Sequence, residues 1–229
     1  MSEVHARLTW DDVGSRYYHT GVKNGVLYVR NAQGAYPKGV AWNGLTAVNA
    51  SPDGAEPTDL WADNFKYASF RAAETFGGSI NAYTWPDEWY ECDGYAEAAP
   101  GMFIGQQARS VFGLCYRSEV GNDVLAADMP GAPYILHLVY GATASPSERE
   151  NATINDNPDA VEFSWDFETT PVAVGNAIVN GRPTSYIELD SRKVPEAKMT
   201  AIENILYGST TADARLPLPQ EIATLLNGQ

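Results

Sequence analysis

Residues 161–167 read Val-Glu-Phe-Ser-Trp-Asp-Phe: Val161, Phe163, Trp165 and Phe167 fall on one side, and Glu162, Ser164 and Asp166 on the other. This period of two is that of a β-strand with one buried face and one wet, acidic face. The stretch SYIELD (185–190) repeats it, with Ile187 and Leu189 opposite Glu188 and Asp190. By contrast, YILHLVY (134–140) and VFGLCY (111–116) are apolar on both sides, the pattern of central strands covered twice. Further strands are expected at 26–30, 39–48, 64–71 and 79–85, separated by turn-forming stretches such as SPDGAEP (51–57) and ASPSERENATINDNPD (144–159).

One internal helix stands out. Pro195 suits a first helical position, Met199, Ile202, Ile205 and Leu206 form a stripe, and Gly208 suits the stop. A helix over 195–207 laid on antiparallel sheet is an α+β, mostly β, fold. The domain reading is an N-terminal arm over 1–23, a β domain over 24–208 and a C-terminal arm over 209–229. In that last arm a proline-rich connector precedes Ile222, Leu225 and Leu226 on one helical face. So short a helix needs a surface to dock on, its own core or a neighbouring copy.

The chain has 229 residues, 44% of them hydrophobic and 19% charged, so a folded core is expected. The opening stretch has no apolar signal region, and no run approaches the roughly 18 apolar residues of a membrane span. The expectation is a soluble chain made in a cytosol. Cys92 and Cys115 lie in no metal-binding or redox spacing; two reduced core thiols are expected, with a single disulfide the alternative.

Twenty-nine acidic residues against 15 Lys plus Arg leave a net charge of −14, a field that repels phosphates. The acids cluster at Asp87–Glu97 and at Glu148–Glu168. Of the three histidines, His5 lies near the N-terminus, and His137, between Leu136 and Leu138, reads as a satisfied core histidine. No nucleophile elbow, zinc-protease motif or phosphate loop is present, and Asp156, Asn157 and Asp159 lack the glycine and distal glutamate of a calcium loop. No catalytic, cofactor-binding or metal-binding residues are expected. One constellation imitates a sugar site: Asp87, Glu88, Glu91 and Asp93 lie beside Trp85, Trp89, Tyr90 and Tyr95. It motivates an alternative, a carbohydrate- or receptor-binding β-sandwich module of a virion, with a glycosidase behind it.

Several stretches carry a resemblance. GVAWNGLTAVNASPDGAEPTDLWADN (39–64), AYTWPDEWYECDG (82–94), PGMFIGQQARSVFGLCYRSEVGND (100–123), ILHLVYGATASPSE (135–148), ATINDNPDAVEFSWDFETTPV (152–172), KVPEAKMTAIENILYG (193–208) and RLPLP (215–219) follow one another in order. Together they resemble the major tail proteins of siphophages of Gram-positive hosts, the phi13-type family. That resemblance implies a tail-tube fold, an antiparallel β-sandwich or open barrel with one flanking helix. It also implies a structural virion protein, not an enzyme. Copies, expected to be six to a ring, would stack as a tube around the tape-measure protein, with the tail terminator and distal tail protein as further partners. DNA would pass through without specific binding, and no cofactor or membrane is implied. Assembly would take place in the bacterial host cytoplasm, and the protein would reside in the virion tail.

Under that reading the wet side of 161–168 supplies lumen-facing acids, Glu162, Asp166 and Glu168, because a negative channel repels sliding DNA. Contacts between stacked rings are expected from the loop carrying Pro52, Asp53 and Glu56 and from the C-terminal arm with Ile222, Leu225 and Leu226.

Overall fold

The structure, a computed structural model, describes residues 7–54, 56–71, 74–151, 153, 160–175 and 181–228. It is mostly β, with a large antiparallel sheet and few helices. The strands are β1 (Tyr18–Val29), β2 (Gly39–Trp42), β3 (Leu45–Ala50), β4 (Asp53–Gly54), β5 (Pro57–Ala62), β6 (Phe65–Arg71), β7 (Glu74–Thr75) and β8 (Gly77–Ala82). After α1 (Trp89–Cys92) come β9 (Ala96–Ala99), β10 (Met102–Ile104), β11 (Phe112–Gly121), β12 (Tyr134–Ala144), β13 (Phe163–Thr169) and β14 (Tyr186–Asp190). The chain closes with α2 (Glu196–Leu206) and α3 (Pro219–Asn227). No helix among the described residues is long and apolar enough to cross a membrane.

Eight strands form the main sheet in the order β2-β1-β11-β12-β13-β8-β3, with β14 also pairing β12. β12 therefore has two partners on one edge: Ile135–Val139 pair with β14, and Ala142–Ala144 with β13. Gly141 sits at the change of partner, with φ +62° and the Thr170 carbonyl oxygen 2.1 Å from where a Cβ would stand. Only glycine meets both demands.

The ends of the strand order, β2 and β3, are joined by only Asn43 and Gly44, so the sheet has to roll. Its inside is filled by the alternate side chains that periodicity selects. Trp165 and Phe167 of β13 join Leu27, Trp42, Ile80, Trp89, Phe112 and Leu114 in one buried cluster. The indoles lock edge to face or tilted, with ring centroids 4.7 Å apart for Trp42–Trp89 and 5.5 Å for Trp89–Trp165.

β1, β11 and β12 bury their other faces as well. Val26, Tyr28, Cys115, Leu136, Leu138 and Tyr140 pack under Met199, Ile202 and Leu206 of α2, which is the stripe legible in the sequence. Each such side chain removed from water contributes about 2 kcal/mol. Two tyrosines seal the layer: Tyr28 donates to the Leu206 carbonyl at 2.6 Å, and Tyr140 to that of Pro217 at 2.9 Å. Both cysteines are free and buried, and burial pushes their thiols well above the ordinary range.

Several boundaries differ from expectation: the strand expected over 39–48 is broken at Asn43–Gly44 into β2 and β3, and the one expected over 79–85 ends at Ala82. β1 begins at Tyr18, inside the 1–23 stretch expected as an arm. Its register shifts between Thr20 and Lys23, and again between Lys23 and Val26, which erases the period of two. Of the two docking surfaces open to the C-terminal segment, it takes its own core: Ile222 is 2% exposed, and Leu225 and Leu226 pack against the same cluster as α2. Pro195 precedes α2 with an extended ψ of 137°, one place earlier than expected. The stretch 57–62 was not expected as a strand, and it forms β5.

Candidate functional site

Two exposed surfaces grow from the β3–β8–β13 side of the sheet, and among the described residues neither is covered. The first is the outer face of those strands. Cross-strand partners share a face, so Asp166, Ser79 and Asn49 form one row, and Ser164, Asn81 and Ala47 the next. Asn49 donates to Ser79 at 3.0 Å, and Ser164 to Asn81 at 3.3 Å. Asp166 and Glu168 are exposed on β13, and Glu162 stands just before the strand, accepting a hydrogen bond from the Thr46 hydroxyl. The three strands carry no Lys or Arg, so the face is polar and negative. On the inward row Gly78, the partner of buried Phe167, lets β3 and β8 approach closely: a Cβ there would stand 2.0 Å from the Asn49 carbonyl oxygen.

The second surface is an arm. β3 runs through β4 into β5, and β6 returns through β7 into β8, so the arm is one long hairpin continuing the β3–β8 pair. Its tip, Asp63–Asn64, has both φ angles positive, at 47° and 64°, the primed turn that suits the twist of a tight hairpin. Asp59 on β5 is held by Lys66 at 2.7 Å and by the Ser69 hydroxyl at 2.7 Å, and these bonds, Lys66 first, lower its carboxyl pKa. The apolar side chains have no such partners. Leu60, Trp61, Phe65, Tyr67 and Phe70 are 46–69% exposed. A two-stranded ribbon with bare aromatic rings is marginal in water and calls for a covering surface.

The structure brings together residues that the sequence had assigned separate tasks. Pro52 and Asp53, expected at ring contacts, line one groove with Asp166 and Glu168, expected in the lumen. Glu56 is exposed at the start of the arm. Ile222, expected at a contact between rings, is 2% exposed within its own core, and Leu225 and Leu226 are half-buried beside it. The aromatic arm was missed as a contact surface. Its signal was present in Leu60, Trp61, Phe65, Tyr67 and Phe70 flanking an Asp-Asn turn, but the proline at 57 and the irregular alternation concealed it.

The acidic aromatic stretch is consumed internally. Trp89 is fully buried, Tyr90 is stacked under Phe103 at 3.9 Å, and Arg149 covers Trp85 and Tyr95 at 4.8 and 5.0 Å. Three of the four acids are partnered too: Glu88 with Lys38 at 3.0 Å, Glu91 with Ser110 at 3.1 Å, and buried Asp93 with Arg109 at 3.1 Å and with Arg149. These rings are engaged with one another and with Arg149 inside the fold. Among the described residues no cluster of His, Cys, Asp and Glu has the arrangement of a metal site. His5, Asp156, Asn157 and Asp159 lie outside the described residues. No protein-family model matches the chain, and no curated protein matches it.

Proposed function

We propose that the protein is a self-assembling structural subunit whose copies stack as rings into a phage tail tube, with a negatively charged inner wall through which DNA passes. The observation that carries this reading is the arm. Its exposed aromatic rings meet no core among the described residues, and an element of that kind is stabilised by a second copy. The bare acidic face supports the channel assignment, because three strands without a cation attract no phosphate and leave DNA free to slide. The resemblance in seven stretches supplies the tail context and the partners: the tape-measure protein, the tail terminator and the distal tail protein.

The test is electron microscopy and sedimentation of concentrated protein. Hollow tubes or rings are expected from the wild type. The double variant Phe65→Ser/Tyr67→Ser should stay folded and fail to polymerise. A wild type that remains monomeric at every concentration and salt would overturn the reading. Asp166→Lys/Glu168→Lys should still assemble but slow DNA passage.

A further inference from the structure

His137 lies at the centre of a relay that the proposed assembly does not use. It is 8% exposed, on β12, directly opposite Glu188 of β14. Its Nε2 is 2.7 Å from the Ser118 hydroxyl of β11, and its Nδ1 is 2.5 Å from the Tyr186 hydroxyl of β14. Tyr186 in turn donates to Glu188 at 2.8 Å. The direction of every proton follows from that last bond. With its own hydrogen given to Glu188, the Tyr186 oxygen accepts from His137 Nδ1–H, which leaves Nε2 as the acceptor for Ser118. The order Ser–His–Tyr–Glu imitates a nucleophile and its base. Ser118, however, lies mid-strand opposite Ile135, not at a turn or helix start where amides converge on an oxyanion.

The relay is also a stack of rings. Tyr116 lies on His137 at 4.5 Å and 11°, His137 is 6.0 Å from Tyr186, and Tyr186 lies on Phe76 at 4.6 Å and 15°. Phe76 stands between β7 and β8, at the root of the arm. The column therefore ties β11 and β12, edge strand β14 and the arm into one unit.

We infer that His137 is a proton-operated latch, closed when neutral and opened by acid, that holds β14 and the arm root to the sheet. A proton on Nε2 abolishes the acceptor, so Ser118 must turn its hydroxyl away, and a charge appears in a ring stack with little water. The groups facing it are Tyr116 and Ser118 from β11, His19 from β1, and Tyr186 and Glu188 from β14. Arg117 is turned to the opposite face, over Tyr134 at 3.5 Å. Burial, the largest effect, lowers the His137 pKa; Glu188, 3.6 Å away, opposes it, and His19 reinforces it. A histidine whose folded pKa is depressed contributes stability that is present above its unfolded pKa and lost as pH falls through the folded one. The latch belongs to the single chain. Only its consequence for assembly, an arm that loosens in acid, rests on the tube reading.

Amide hydrogen exchange on the full chain between about pH 7.5 and 5, corrected for intrinsic rates, tests it. Protection of 186–190 and of residue 76 should fall at least about threefold on acidification, while Leu27–Val29 and Phe112–Leu114 hold. Glu188→Gln should shift the loss to lower pH, because it removes the carboxylate that favours the imidazolium. His137→Gln should abolish the pH dependence. Nitrogen-15 spectra of the wild-type imidazole at neutral pH should show the Nδ1–H tautomer, a readout that survives if the variant does not fold. Flat protection at 186–190, a shift to higher pH in Glu188→Gln, or an Nε2–H tautomer would each overturn the latch.

Discussion

Strands β12 and β13 are neighbours in one sheet, yet they live in different surroundings. β12 is covered twice, by the rolled interior on one side and by α2 and α3 on the other. β13 shares the interior but turns Ser164, Asp166 and Glu168 to water. The apolar run of YILHLVY and the strict alternation of VEFSWDF are these two environments written in residues. The difference teaches that this sheet carries two tasks. Its helix-covered half supplies stability, and its bare half supplies a surface of a single sign, continued by an aromatic arm.

The comparison breaks most visibly in the covered half. Leu138→Ala and Ile202→Ala, each opening a fully buried site, should cost about 2–5 kcal/mol in denaturant unfolding. Gly141→Ala tests the point where β12 passes from β14 to β13. A Cβ at positive φ against the Thr170 carbonyl should cost about 2–4 kcal/mol and weaken the β12–β13 pairing in hydrogen exchange.

Smaller effects sharpen the contrast. Arg192, bonding Asp190 through its side chain at the end of β14, holds that carboxyl below the usual range. Its contribution is present above the ordinary carboxylate pKa and lost as pH falls through the lowered value. Asp190→Asn should therefore flatten the acid limb of a stability–pH curve. On the bare side, Trp61→Ser in the arm should move the monomer's unfolding by less than about 1 kcal/mol while reducing polymer in sedimentation. Asp166→Lys/Glu168→Lys, on an exposed strand face, should change stability by at most about 0.5 kcal/mol at each position. Were those two charges to prove as costly as Ile202, the division of the sheet would be wrong.

The legibility of the chain follows the same division. Where one environment persists for several residues, the period survives, so β13, β14 and the α2 stripe were readable from residue order alone. β1 was legible only in part because two register shifts move its side chains between faces, and no fixed period describes them. The arm was half legible: β6 was expected and β5 was not. Trp89 read as a candidate platform because an aromatic beside carboxylates looks the same in sequence whether it faces water or a core.

The sequence by itself determined the mostly β character, the acidic balance, the wet face of 161–168 and the helix near 195–207, since each is a local or summed property of neighbouring residues. Only the tertiary structure decided that Ile222 belongs to its own core and that Asp53 meets Asp166 and Glu168 in one groove. It alone set His137 between Ser118 and Tyr186, and it left the arm's aromatic rings bare. Those facts depend on which distant strands pair and in what register, and pairing is chosen by the burial of the whole sheet, not by any segment's own pattern.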